Sequence, residues 1–516
     1  MSISHRGNQR RPVAGDLHLY QASEILSEWL ILLMVVFGPW AFGATDDWAV
    51  RVLNAGGFAL GILLAIKLTI RLTSGYRPPR WETAEDCSSK GKKVIWLLIV
   101  LTWAIPLYCL LAALNARGNY RPELGGFEYR QNIAWLPASL DSSATWFVFW
   151  CALALVCSFW AVRDWLLGKS REDALRLKQH SDRFGAGAGG FPPDRWRTLF
   201  WILTFSGGLL GLEGMVQRLA NSPKLLFLVL PSIHQTADTQ FGPYAYRSNA
   251  AQYFNLLWPP VLGFWYGQGE KWRSGRIRRY APLVCVIIMA ACPIISTSRG
   301  GAIIAVGQCF LAGLVLLIGP WRHRGQSAAD GTSLKTPSSA QPVWRQVRLA
   351  LVFLGASLLL GFALGWGTLK PRMERFQEGY AFRERMYQNA LPMAVDYPVY
   401  GIGPGAFVDV FQLYRESTST YWPPELHNDW LETRISFGWV GSTIILLALL
   451  AVGLRWFVPG EVEGPLSFTA LLWLSLGGCL VHARFDFPFQ VYSVVFLFLL
   501  WCAMLTVISR RGRGCP

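Results

Sequence analysis

The chain has 516 residues, of which 52% are hydrophobic and only 16% charged, with 25 tryptophans and a mean hydropathy of +0.30. Soluble chains carry about 25% charged residues, so a water-soluble multidomain enzyme is excluded. The formal net charge of +16 would suggest nucleic acid in a soluble protein, but here Lys and Arg gather in alternate loops between apolar blocks, as the cytoplasmic loops of membrane proteins do, and no nucleic-acid partner follows.

In chain order, Arg6, Arg10 and Arg11 precede a first apolar run that starts near Ile25, is long enough to span and has no small-residue cleavage site, so no removable signal peptide is expected. Apolar runs then predict spans at 26–44, 50–70, 94–114, 145–162, 198–217, 250–266, 281–297, 300–319, 347–368, 437–457, 466–482 and 488–509. The loops at 71–93, 163–197, 271–279 and 322–348 and both tails are basic; those at 45–47, 115–143, 218–249 and 370–435 are mixed or acidic. The two sets alternate when both termini are cytoplasmic. The expected fold class is therefore all-α integral membrane, a single polytopic domain over 1–516 with about twelve transmembrane helices. One large extracytoplasmic loop, 370–436, contains short helices. Stretches 185–190 and 327–342 read as flexible linkers. Eight of the ten cysteines fall inside predicted spans, and Cys87 and Cys515 fall in basic inward segments, so neither a disulfide framework nor a metal-ligand spacing is implied.

Unusual polar residues gather on the side facing away from the cytoplasm. The first group is Ser298-Arg299-Gly300-Gly301, between two spans. It reads either as a tight hairpin whose arginine snorkels to the headgroups or as an anion site using backbone N–H groups at a helix start. The second is Arg383-Glu384-Arg385-Met386-Tyr387, running through Pro392, Asp396 and Pro398 to Gly401-Ile402-Gly403-Pro404-Gly405. It is an amphipathic surface helix ending in a glycine turn that packs closely; no strand precedes it, so it is not a nucleotide loop.

The third group is His427-Asn428-Asp429-Trp430-Leu431-Glu432, just before the span at 437; imidazole is the side chain best matched to taking a proton near neutral pH. His234 and His482 are the other two outward histidines. The fourth comprises Arg247 and Asn249 with His482, Arg484 and Asp486. Arg247, Arg299, Arg383 and Arg484 together put guanidinium forks near the membrane surface, where they suit a lipid-linked phosphate or pyrophosphate. No outward carboxylate cluster suits a divalent metal; Asp46 and Asp47 come nearest, in a very short loop. The loop aromatics Tyr380, Tyr387, Tyr414, Tyr421 and Trp422 suit stacking on sugars.

These four elements, in this order, resemble the O-antigen ligase and polymerase family over roughly 247–509. The elements that carry the resemblance are Ser298-Arg299-Gly300 and an arginine-led helix from Arg383 through Pro398 to Gly401, Gly403, Gly405 and Phe407. They continue with His427-Asn428, Leu431-Glu432, Gly438 and Gly441, and end with His482, Asp486, Phe487 and Pro488. Two departures stand out: Tyr387 replaces the family's usual tryptophan, and Arg247-Ser248-Asn249-Ala250 differs from the usual stretch, which leaves Arg247 less defined than Arg299 or Arg383.

The resemblance implies a glycosyltransferase of the bacterial inner membrane that moves a glycan from undecaprenyl pyrophosphate to a sugar hydroxyl on the periplasmic face. The acceptor is a lipid A-core in a ligase, or another lipid-linked repeat in a polymerase; the motif set fits the ligase better. His427, Arg299 and Arg383 would be catalytic, and Arg247, Asn249, Arg385, Asn428 and Arg484 would bind substrate. No metal or cofactor is expected, so activity should survive EDTA. A lipid-glycan flippase is the reading from another class; it would place ionisable groups in mid-membrane and show internal repeats. The mid-span positions are almost entirely apolar, with Lys67 and Glu213 near span ends.

Overall fold

The computed structural model describes residues 14–76, 78–81, 89–170, 173, 192–233, 235–268, 276–329, 341–416, 424–457, 462–463 and 465–509. Among them are fourteen α-helices: α1 (Ala14–Trp40), α2 (Asp47–Thr73), α3 (Ser89–Leu114), α4 (Ser142–Leu166), α5 (Asp194–Leu219), α6 (Arg247–Gly267) and α7 (Arg276–Ile295), then α8 (Arg299–Ala329), α9 (Gln341–Glu374), α10 (Phe376–Asp396), α11 (Phe407–Phe411), α12 (Asp429–Trp456), α13 (Leu466–His482) and α14 (Tyr492–Val507). Each of the twelve predicted spans is met by one helix, and α10 and α11 lie in the large loop between α9 and α12. Eight helices are long and apolar enough to cross a membrane, and three shorter apolar ones, Tyr280–Ile295, Leu466–His482 and Tyr492–Val507, accompany them. This is an all-α membrane fold.

The remaining helix, α6, is explained by its place. It is buried continuously from Ser248 to Trp265, so it faces protein on every side and tolerates Asn249, Gln252 and Asn255 without exposing them to lipid. Two further departures from the sequence reading have simple causes. Helices outrun their apolar stretches: α1 begins at Ala14, α8 reaches Ala329 and α9 starts at Gln341. Hydropathy marks only the part of a helix that lipid would surround, so the ends of the linker expected at 327–342 are helical. A small β-hairpin also appears in the loop after α3, where β1 (Gly118–Arg121) pairs antiparallel with β2 (Gly126–Tyr129), Gly118 opposite Tyr129. Its turn carries Gly125 at φ 58°. His234, Tyr421, Trp422, Cys87, Cys515, residues 185–190 and residues 330–340 lie outside the described residues.

The two ends of the bundle differ in chemistry. At one end Lys67, fully buried, lies 3.0 Å from Glu24 and 2.9 Å from Asp164. Arg71 joins Asp164 at 2.7 Å, Arg80 also contacts it, and Arg195 contacts Glu24. This network ties α1, α2, α4 and α5 together near the residues expected inside. At the other end the long loop is fastened to the helices. Ile402 and Gly403 donate backbone N–H bonds to the carbonyls of Ile435 and Ser436 at 3.0 and 3.1 Å, and the Tyr108 hydroxyl donates to the carbonyls of Tyr400 and Phe437. Gly401 and Gly438 have positive φ and lie backbone against backbone, where a Cβ on either would strike the other strand's main chain. The glycine turn therefore builds the fold at this end and leaves no phosphate cradle.

Candidate active site

The turn after α13 and the start of α12 make the floor of the site. Asp429 donates its backbone N–H to the Ala483 carbonyl at 2.9 Å, and its carboxylate accepts from the Phe489 N–H at 2.8 Å. Asn428 caps α12, its side chain accepting from the Leu431 N–H at 3.3 Å. Just before this cap the chain turns sharply, and His427 sits at φ 59°. A left-handed conformation at a non-glycine residue costs free energy and marks a position whose surroundings dictate its geometry.

The His427 ring is fixed on several sides. Its Nδ1 lies 3.0 Å from Asp486 Oδ1, Phe487 and Tyr246 flank it at centroid distances of 4.9 and 5.9 Å, and its carbonyl accepts from the Tyr387 hydroxyl at 2.9 Å. Asp486 is 2% exposed and accepts further bonds from the Ser248 hydroxyl and the Phe487 N–H. Burial opposes its ionisation, but the hydrogen bond and charge of His427 and the Arg383 guanidinium outweigh burial and hold its carboxyl well below the usual range. With Asp486 as the partner of Nδ1, Nε2 is the ring nitrogen left to face a substrate hydroxyl.

Beside this pair lies a group of arginines. Arg383 Nη2 is 4.0 Å from Asp486 Oδ2, and its Nη1 donates to the Phe485 carbonyl at 2.5 Å. Arg299, at the first residue of α8, donates to the Arg375 carbonyl at 3.2 Å and lies over the Phe376 ring. Arg247 donates to the Asp238 carbonyl at 2.6 Å and faces its carboxylate at 3.6 Å. Two arginines that the sequence reading missed join them. Arg218, in the last turn of α5, donates to the carbonyls of Gln240 and Ser296, and Arg372 closes α9. They are near enough to repel in a chain: Arg218 feels Arg372, Arg247 feels Arg218 and Arg299, Arg372 feels Arg247 and Arg299, and Arg299 feels Arg383. Tyr246 sits among them, its hydroxyl pushed up to about 12 by burial and by Asp486. Arg218 opens the predicted loop 218–249 and Arg372 lies two residues into the loop 370–435, and this place at the start of an outward-assigned loop is the signal that could have found them.

Five guanidinium groups thus neighbour one another with two carboxylates among them, Asp238 near Arg247, Arg218 and Arg372 and Asp486 near Arg383. Like charges crowded in a partly dry site are unfavourable unless an anion joins them, and guanidinium forks match phosphate oxygens. The remaining expected site residues divide. Asn249 is 5% exposed, and its Oδ1 has no hydrogen-bond partner among the described residues. Arg484 is exposed at the rim, over Phe485. Arg385, two residues beyond Arg383 and so on the other side of α10, is exposed to solvent. His482 is 1% exposed beneath the floor, against Gly300. Among the described residues no group of three or more His, Cys, Asp or Glu could hold a metal ion.

A family model described as O-Antigen ligase matches residues 284–446. The match takes in Arg299, Arg372, Arg383 and His427, and it agrees with the resemblance noted in the sequence. No curated protein and no solved structure matches the chain. With its apolar helices, the match indicates a multi-pass bacterial membrane protein that is similar to O-antigen ligases over that region.

Proposed function

We propose that this chain, carrying an O-antigen ligase domain, is a glycosyltransferase of the inner membrane that takes a glycan from a polyprenyl-pyrophosphate carrier and places it on a sugar hydroxyl at the periplasmic face. The observation that carries this reading is the cluster of five neighbouring arginines, with Arg383 beside the His427–Asp486 pair, at one end of the helix bundle. The arginines bind the pyrophosphate and stabilise the negative charge that grows as it departs. His427 Nε2 accepts the proton of the acceptor hydroxyl while Asp486 holds the ring and offsets the developing imidazolium charge. The bond from the sugar's anomeric carbon to the carrier phosphate breaks, the bond from that carbon to the acceptor oxygen forms, and the pyrophosphate leaves with its electron pair. No step draws on a metal.

The ligase acceptor, a lipid A-core, fits better than a second lipid-linked repeat because the chain matches the ligase motif set more closely. The test is transfer by purified protein in EDTA, with carrier-linked glycan and both acceptors in parallel. We expect product on the lipid A-core alone, and loss of a large part of the rate in His427→Ala, a general base being worth about 10²–10⁴-fold. Asp486→Asn should lower kcat with little change in KM, because the amide no longer fixes the ring's tautomer. Transfer by His427→Ala at the wild-type rate would overturn the mechanism, and product on the lipid-linked repeat alone would make the enzyme a polymerase.

A further inference from the structure

The segment Leu225–Ile233, between α5 and α6, is a run of large apolar residues far shorter than the roughly 20 residues needed to cross a bilayer, and neither the arginine site nor the helix core uses it. Leu228 is 73% exposed, Ile233 51%, Leu230 49%, Val229 46% and Phe227 41%. Only Leu225, at 4%, is buried. A turn standing in water would put polar residues or glycine here. Instead Leu226 and Phe227 are held at φ 50° and 60°, an arrangement that costs backbone energy and turns the apolar side chains outward.

Two further observations say what covers them. The exposed side chains continue a stripe on α5, where Leu209, Leu212, Val216 and Leu219 recur at helical spacing and are 58%, 48%, 47% and 68% exposed; such a stripe on a membrane-spanning helix faces lipid. The tip of the turn also bonds part of its own backbone. The N–H groups of Phe227 and Leu228 donate to the Lys224 and Leu225 carbonyls at 3.2 and 2.9 Å, and Leu225 and Val229 exchange bonds of 2.8 and 3.2 Å. Each backbone bond made within the turn lowers the cost of seating it against hydrocarbon. Its neck is polar and anchored: Gln217 donates to the Lys224 carbonyl at 2.9 Å and accepts from the Gly242 N–H at 2.5 Å.

We infer that Leu225–Ile233 is a membrane-inserted turn, seated among the acyl chains of the leaflet that borders the arginine site, with Lys224 at headgroup depth. It rests on the reading of α5 and α6 as membrane spans and is independent of the reaction. Its neck adjoins Arg218, so the turn fixes the depth of the arginine cluster relative to the phosphate plane of the bilayer.

The test is nitroxide labelling of the full chain in liposomes at Leu228→Cys and Leu230→Cys. Leu209→Cys on α5 serves as a lipid-facing reference and Glu123→Cys in the hairpin as an aqueous one, with the unsubstituted protein taken through the same labelling as background. Relaxation by oxygen and by a water-soluble nickel chelate is compared. We expect oxygen to dominate at 228 and 230 as at 209, and nickel to dominate at 123. Nickel dominating at 228 and 230 while oxygen dominates at 209 would overturn the inserted turn alone. Nickel dominating at 209 as well would overturn the membrane-span reading with it. Shielding of 228 from both reagents would mean a protein partner covers the turn, and would also overturn the proposal.

Discussion

Arg299 reaches the site only because residue 379 is glycine. The three atoms nearest a Cβ built there all belong to the Arg299 guanidinium, the far end of a flexible side chain. Gly379→Ala should therefore leave α10 folded, since alanine favours a helix, yet swing the guanidinium away from the anion position. We expect an unchanged melting temperature and a loss of transfer approaching that of Arg299→Ala, read in the same assay; full activity would separate Arg299 from pyrophosphate binding. Arg299→Lys should also impair transfer, because an ammonium does not reproduce the bidentate fork. At this scale the sequence was informative where one residue type was out of place: arginines in outward segments and a histidine beside a helix cap. It was silent on Arg218 and Arg372, which look like ordinary helix-end cations until α5 and α9 bring them beside Arg247.

Elements rather than single residues hold His427 in its unusual conformation. The segment leading into α12 is pinned by Glu432, whose carboxylate accepts the Leu426 N–H at 2.9 Å, and it carries Glu425 close to that carboxylate. Burial first, then the nearby Glu432 and Asp486, push the Glu425 carboxyl up to about 8. Its folded-state value lies above the ordinary unfolded value of about 4.3, so the folded form binds more protons between the two. The contribution to stability is then complete below the unfolded value and is lost as pH rises through about 8. Glu425→Gln removes this dependence. Melting in detergent at pH 5 and pH 8.5 should show the wild type losing more stability than the variant across that interval; parallel losses would count against a protonated Glu425. The glycine turn after α10 is legible in the same way. Its composition foretold close packing, but only the register against Ile435 and Ser436 shows that it braces the start of α12.

Over the whole molecule the two bundle ends differ in how closely their charges are paired. The Lys67 end is tightly paired: Asp164 is shared by Lys67, Arg71 and Arg80, and Glu24 by Lys67 and Arg195. Asp164→Ala would leave buried Lys67 with Glu24 as its carboxylate partner and free two guanidinium groups. Removing one member of a buried pair typically costs about 3–5 kcal/mol, so we expect a large drop in melting temperature with transfer intact in whatever protein remains folded. A drop no larger than that of a surface substitution would show that water reaches the network. The arginine end is more loosely paired, with Arg247 3.6 Å from Asp238 and Arg383 4.0 Å from Asp486, which suits binding an anion.

Hydropathy and the alternation of basic loops determined the number of spans and which polar residues share one side, because lipid leaves a backbone no alternative to helices and charge biases each loop to one face. The family motifs, read as a resemblance, pointed to the reaction. Three things were decided by tertiary structure alone: the pairing of His427 with Asp486, the arrival of Arg218 and Arg372 from α5 and α9, and the place of α6 at the centre. Each depends on contacts between segments far apart in the chain, and local periodicity carries no information about which helix ends meet.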